Sequence, residues 1–129
     1  MEKSASAADS RQTLGREGDT LAARELERRG YEILVRGFRV RGGEIDIVAR
    51  DGLSLVFVEV RTRAGDRCGT ASESITRRKQ LQIARVARAY LATQTSRPEP
   101  CRFDVVAVDF EEDGSAPRVT VYVGAFDAG

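Results

Sequence analysis

The stretch from Gly43 to Arg63, GEIDIVARDGLSLVFVEVRTR, constrains the fold of this chain more than any other. It reads as a β-hairpin: residues 44–50 and 55–63, rich in Val, Ile and Phe, flank a turn around Asp51-Gly52. Asp-Gly favours chain reversal because Gly accepts positive φ and Asp hydrogen-bonds its own backbone. Strict alternation puts Glu44 and Asp46 on one face of the first strand and Ile45 and Ile47 on the other. On the second strand Leu55, Phe57, Glu59 and Arg61 alternate with Val56, Val58 and Val60.

Parity then brings two acids together. A turn of two or four residues places Asp46 and Glu59 on the same face. With four, Arg50 pairs with Leu55, Asp46 lies opposite Glu59, and Glu44 lies opposite Arg61. Like charges facing each other across a ladder destabilise a sheet. At a separation of about 4 Å and an effective dielectric of about 20, two ionised carboxylates repel by roughly 4 kcal/mol. The second strand is apolar on both faces, the mark of a buried strand. A carboxylate in that setting must be protonated, paired or metal-bound, and a divalent cation relieves both burial and repulsion. The competing reading makes the two acids ordinary charges on a partly wet sheet face.

The flanking segments supply helices and further strands. From about Arg11 to Arg29 the residues Leu14, Leu21, Ala22 and Leu26 fall near helical spacing, and Gly30 ends the run. Glu17 lies one turn before Leu21, near the buried stripe, while Asp19 reads as surface charge. Residues 31–40 form a strand in which Tyr31, Ile33 and Val35 alternate against Glu32 and Leu34, with Arg36, Arg39 and Arg41 crowding its end. A glycine-containing loop, AGDRCGTASES at 64–74, is placed to border a binding site. The next helix starts at Ser74 or Thr76 and runs to Ala92 on a stripe of Ile83, Ala84, Ala87, Tyr90 and Leu91. It carries Arg77, Arg78, Lys79, Arg85 and Arg88 without an acid. Positive charge at a helix N-terminus opposes the macrodipole, which makes sense where the helix start faces phosphate. After a Pro-bounded linker at 97–100, residues 102–110 and 119–123 are strands, and Asp104 is either a support for the acid pair or a buried acid paired with an arginine.

The order and motifs resemble the PD-(D/E)xK nuclease superfamily and its Holliday junction resolvase branch, and more closely the small YraN proteins, which are predicted endonucleases. The likeness runs from Leu14 to Phe110 through G-R-E-G-D, G-Y-E-I-L, G-E-I-D-I-V, L-V-F-V-E-V-R-T-R, I-T-x-x-K and R-F-D-V-V-A-V. It implies a restriction-endonuclease-like α/β fold, a central mixed sheet flanked by helices in the order α-β-β-β-α-β-β. It also implies Asp46 and Glu59 as ligands of Mg²⁺ or Mn²⁺, the Val60 carbonyl as a third, and Glu17 completing the site directly or through water. Where that superfamily usually has a lysine two residues after the Glu, this chain has Arg61. Arginine keeps its proton and cannot act as a general base, though it can stabilise hydroxide or a pentavalent phosphate. Arg is also a compositional habit here, since Lys3 and Lys79 are the only lysines among 21 basic residues. Lys79 matches the family's helix lysine and can contact phosphate or take over from the absent strand lysine.

Composition closes off other chemistries. Histidine is absent, which excludes His-based triads, HExxH zinc sites and HNH-type nucleases. Cys68 and Cys101 fit no zinc spacing and suit a reduced, cytoplasmic protein. With a net charge of +1, any nucleic-acid surface must be a local patch. No segment has the length and apolarity of a membrane span, so no membrane partner is expected. The length of 129 residues suits one domain, expected at 13–124 between a flexible leader at 1–12 and a tail at 125–129.

Three functions compete on this reading. The first is a metal-dependent DNA endonuclease acting on structured, branched or flapped DNA, with Glu17, Asp46, Glu59, Arg61 and Lys79 at the site and Arg63, Arg77, Arg78, Lys79 and Arg85 on the nucleic acid. The second is a catalytically weak module of the same fold that binds nucleic acid or a DNA-processing partner. The third is a structural or protein-interaction domain. Oligomeric state is left open, with a homodimer among the options.

Overall fold

The computed structural model describes residues 7–65, 75–94 and 99–127, with side chains from residue 13 onward. Residues 1–6 of the expected leader, most of the 64–74 loop with Cys68, Arg97 in the linker and the last two residues lie outside the described residues. The elements are α1 (Ala7–Arg28), β1 (Glu32–Val40), β2 (Gly43–Asp51), β3 (Ser54–Ala64), α2 (Arg77–Ala92), β4 (Cys101–Phe110) and β5 (Arg118–Phe126). Helix α1 begins inside the stretch expected to be leader, and β5 runs on into the expected tail.

The five strands form one sheet in chain order, β1-β2-β3-β4-β5. Neighbours are antiparallel except β3 and β4, which are parallel and joined through α2. Parallel neighbours need a long crossover, and the helix supplies it. Both faces of the middle strands are therefore covered. On one side Ala22, Ala23 and Leu26 of α1 pack on Ile47, Val56, Val58, Val60, Val106 and Val108. On the other, Ile83, Val86, Ala87 and Tyr90 of α2 pack on Ile45, Val48, Leu55 and Phe57. This is why β3 reads as apolar on both faces. Phe57 is the largest fully buried side chain, meeting Tyr90 edge-on at 5.9 Å and stacking on Phe103 at 5.7 Å. Truncating such a ring to alanine costs about 3–5 kcal/mol.

Two local devices position the site. Helix α1 approaches β3 so closely at Gly18 that a Cβ there would lie 2.0 Å from Thr62 Oγ1. Helix α2 starts at Thr76, whose side chain accepts from the Lys79 backbone N–H at 3.1 Å. That cap satisfies one orphan donor of the first turn and sets where Lys79 leaves the helix. No described helix is long and apolar enough to cross a membrane.

Candidate functional site

The β2–β3 hairpin has the register of the longer turn, with Arg50 opposite Leu55, and Asp51 and Ser54 close one further pair around Gly52-Leu53. Regular pairing runs inward from there to Ile47 and Val58. At the next position the strand departs from strict alternation. Ile47 packs on the α1 side and Ile45 on the α2 side, so the expectation that they share a face is corrected. The register with β1 puts Gly37 across from Asp46, between the pairs Arg36–Ile47 and Phe38–Ile45. Gly37 has φ +70°, a conformation that L side chains adopt only under strain, and both strands rotate at this point. Strand β1 also slips between Ile33 and Val35, which moves Val35 from the face of Ile33 to that of α2.

The rotation aims Asp46 at its neighbour's backbone. The Val60 N–H donates to Asp46 Oδ2 at 2.8 Å. Glu59, 8% exposed, comes within hydrogen-bonding reach of the same carboxylate. The two acids share a cleft of about 400 Å³ with Val60 and Thr62 of β3 and Leu14, Gly15 and Asp19 of α1. From α2, Lys79 Nζ lies 3.9 Å from Glu59 Oε2.

Burial dominates the electrostatics. It pushes the Glu59 carboxyl up to about 8, with the Asp46 charge adding and Lys79 opposing. Burial also raises Asp46, while the Val60 N–H pulls it back. Asp19 is pushed up to about 6, first by burial and then by Asp46, against Arg36. Burial and mutual repulsion thus favour a proton shared by the pair when no cation is present. Among the described residues no three of His, Cys, Asp and Glu gather closely enough to hold an ion by themselves. The donor set is therefore two carboxylates with hard oxygens. That suits Mg²⁺ or Mn²⁺, which keep several waters and take one or two carboxylates plus substrate phosphate.

Not every expected residue arrives. Glu17 is exposed and borders a separate depression with Arg16, Leu21, Arg24, Phe110 and Pro117. Asp19 faces the cleft in its place. The signal was present in the helix: Gly15, Gly18, Asp19, Ala22 and Leu26 recur at three- and four-residue steps, and Gly18 is the point of contact with β3. Leu21, the marker that favoured Glu17, is only half-buried.

Arg61 is half-buried on β3, and its charge lowers the Glu59 carboxyl. Arg63 is engaged with Asp109 through Nε at 2.7 Å and Nη2 at 3.2 Å. Arg77 is exposed, reaching Gln80 Oε1 and the Asp127 carbonyl, each at 3.4 Å. Arg78 and Arg85 lie on the outer side of α2, away from the acids, in a groove beside Gly42. Asp104 belongs to a different cluster, held by Arg102 and Tyr31.

Fold and site together define a small mixed α/β protein whose central strands converge on a buried carboxylate pair. The chain belongs to the uncharacterised protein family UPF0102, whose model matches residues 18–108. It is 52% identical over 115 residues to a UPF0102 protein of Symbiobacterium thermophilum, covering 89% of this chain and 97% of that one. A UPF0102 protein of Pelotomaculum thermopropionicum is 46% identical over 119 residues, covering 92% and 99% of the two chains. One from Geobacter metallireducens is 45% identical over 115 residues, covering 89% and 93%.

Proposed function

We propose that this chain is a metal-dependent DNA endonuclease with a restriction-endonuclease-like fold, hydrolysing phosphodiester bonds in structured or branched DNA. The observation that carries the reading is the meeting of Asp46 and Glu59 from adjacent strands in one cleft, with Lys79 beside them. Asp46 and Glu59 would hold Mg²⁺ or Mn²⁺. When bound, the ion would neutralise charge developing on the phosphoryl group and acidify water. The Val60 N–H fixes one oxygen of Asp46, Oδ2, and so orients the carboxylate. Asp19, facing the same cleft, would orient water. Lys79 and Arg61 would supply positive charge beside the attacked phosphate, and Arg61, always protonated, would do so without accepting a proton.

Cleavage of linear, flapped and four-way DNA with Mg²⁺, Mn²⁺ or a chelator tests this. Metal-dependent products that vanish in Asp46→Asn and Glu59→Gln are expected. Products that survive both substitutions would place the chemistry elsewhere. Arg61 in place of the usual lysine favours a second reading, a module of this fold that binds nucleic acid without cutting it. Tight binding with no cleavage in any metal would select that reading.

A further inference from the structure

Helix α2 carries its cations on two sides. Lys79 turns to Glu59. Arg78, Arg85 and Arg88 instead line an open groove of about 680 Å³ with Gly42, Leu81 and Gln82. Residues 78, 81, 82, 85 and 88 fall on one ridge of the helix, about 15 Å long at roughly 1.5 Å per residue. The groove is firmly built: Gln82 Nε2 donates to the Gly42 carbonyl at 2.7 Å and Arg85 Nη2 to the same oxygen at 3.0 Å, clamping the β1–β2 turn to the helix.

Its charge is unbalanced. Several arginines elsewhere are matched to acids, as in Arg28 with Glu25, Arg39 with Glu44, Arg63 with Asp109 and Arg118 with Glu111. Among the described residues no carboxylate forms an ion pair with Arg78, Arg85 or Arg88. On the α1 side the cleft is lined by an acid, Asp19, and by no cation among the described residues.

We infer that this groove is a phosphate track for a DNA duplex flanking the cleavage site on the α2 side only. The inference rests on the reading of Asp46 and Glu59 as that site. Phosphates on one strand are spaced about 3.4 Å along the duplex axis and more widely along the backbone, so the ridge's three guanidiniums meet about three of them. Among the described residues the lining has no aromatic ring, so apart from the guanidinium planes it offers no platform for unpaired bases. Paired bases stacked on one another need none, and the groove takes the backbone of a duplex. Leu81, 48% exposed, lies against the sugars.

Binding of a labelled duplex in chelator, where no cleavage occurs, is followed from 50 to 200 mM salt. The variant Arg78→Gln/Arg85→Gln/Arg88→Gln is expected to reduce the salt slope of log K by about 2.7, at about 0.9 per contact. Arg78→Gln/Arg88→Gln, which spares the Arg85 bond to Gly42, is expected to reduce it by about 1.8. A control, Arg16→Gln/Arg24→Gln/Arg28→Gln on α1, should leave it unchanged. Neutral methylphosphonates on one flank only should reproduce the loss, and single-stranded DNA should bind more weakly than duplex. An unchanged slope in the folded double variant, an equal loss in the α1 control, or single strands binding as tightly as duplex would each overturn the inference. Failure of the cleavage reading shows separately, as no products in any metal, or products that survive Asp46→Asn and Glu59→Gln, with the groove's salt slope intact.

Discussion

Two clusters of buried acid lie within one sheet, and the fold treats them differently. Asp104 on β4 is 0% exposed and pairs in register with Val58, one residue from Glu59. Its carboxylate accepts from Arg102 Nε at 2.9 Å, Tyr31 Oη at 2.8 Å and the Gly124 N–H at 2.9 Å. Arg102 also reaches Asp51 at 2.9 Å, tying the hairpin turn to β4. Burial and the neighbouring Asp104 push the Tyr31 phenol up to about 12, so it stays a donor. The Asp46–Glu59 pair has two acids, one backbone N–H and an ammonium at 3.9 Å. The first cluster surrounds Asp104 with donors from the protein itself and holds strands together. The second sets two carboxyls against one ammonium, and it is here that the proposed cation would bind.

The largest expected effect sets the two against each other. Asp104→Ala removes the buried acceptor shared by Arg102, Tyr31 and the Gly124 N–H, and should destabilise by about 3–5 kcal/mol in urea unfolding. Asp46→Asn should have the opposite sign in the metal-free protein, a gain of about 1 kcal/mol from relieved repulsion. It should also abolish the stabilisation by Mn²⁺, worth about 2.7 kcal/mol at a hundredfold excess over Kd in the unmutated protein. A loss at Asp46→Asn comparable with that at Asp104→Ala would erase the distinction.

A smaller effect sharpens the contrast through pH. Glu59 has a folded value of about 8 against an ordinary 4.5. Between those values the folded protein holds a proton that the unfolded chain has released. Metal-free stability should therefore rise as pH falls from about 8 towards 4.5, and fall as pH rises through that window. Glu59→Gln should flatten this slope, leaving the same-signed contribution of Asp19 below about 6. Saturating Mn²⁺ should abolish it in this window, since the metal-bound folded state and the unfolded chain then both lack the Glu59 proton. A metal-free profile in which Glu59→Gln changes nothing would mean the pair does not share a proton.

The smallest expected change concerns the cations beside the pair. At saturating DNA, Arg61→Lys should keep or raise the cleavage rate by a few-fold, because an ammonium orients water in less space. Lys79→Ala should lower the rate more than Arg61→Ala, since Lys79 is the group within 3.9 Å of Glu59. The reverse ranking would return the role to the strand arginine.

The elements and the hairpin register were legible in the sequence because they depend on local periodicity and turn chemistry. Val, Ile and Phe on both faces of residues 55–60 announce a strand covered twice, and Asp51-Gly52 announces where it reverses. The basic, acid-free face of α2 was equally plain. Tertiary structure alone decided how the acids meet. Strict alternation cannot foresee that β1 and β2 rotate together at Gly37 and Asp46, because that depends on pairing between distant residues. For Glu17 and Asp19 the helix offers two stripes, one through Leu21 and one through Gly18 and Ala22, and the contact of Gly18 with Thr62 decides between them. Nor can alternation separate Arg63, spent on Asp109 across the parallel pair, from Arg78, Arg85 and Arg88, which meet no described acid. Local pattern sets which way a side chain leaves its element, and only packing between elements sets what it meets.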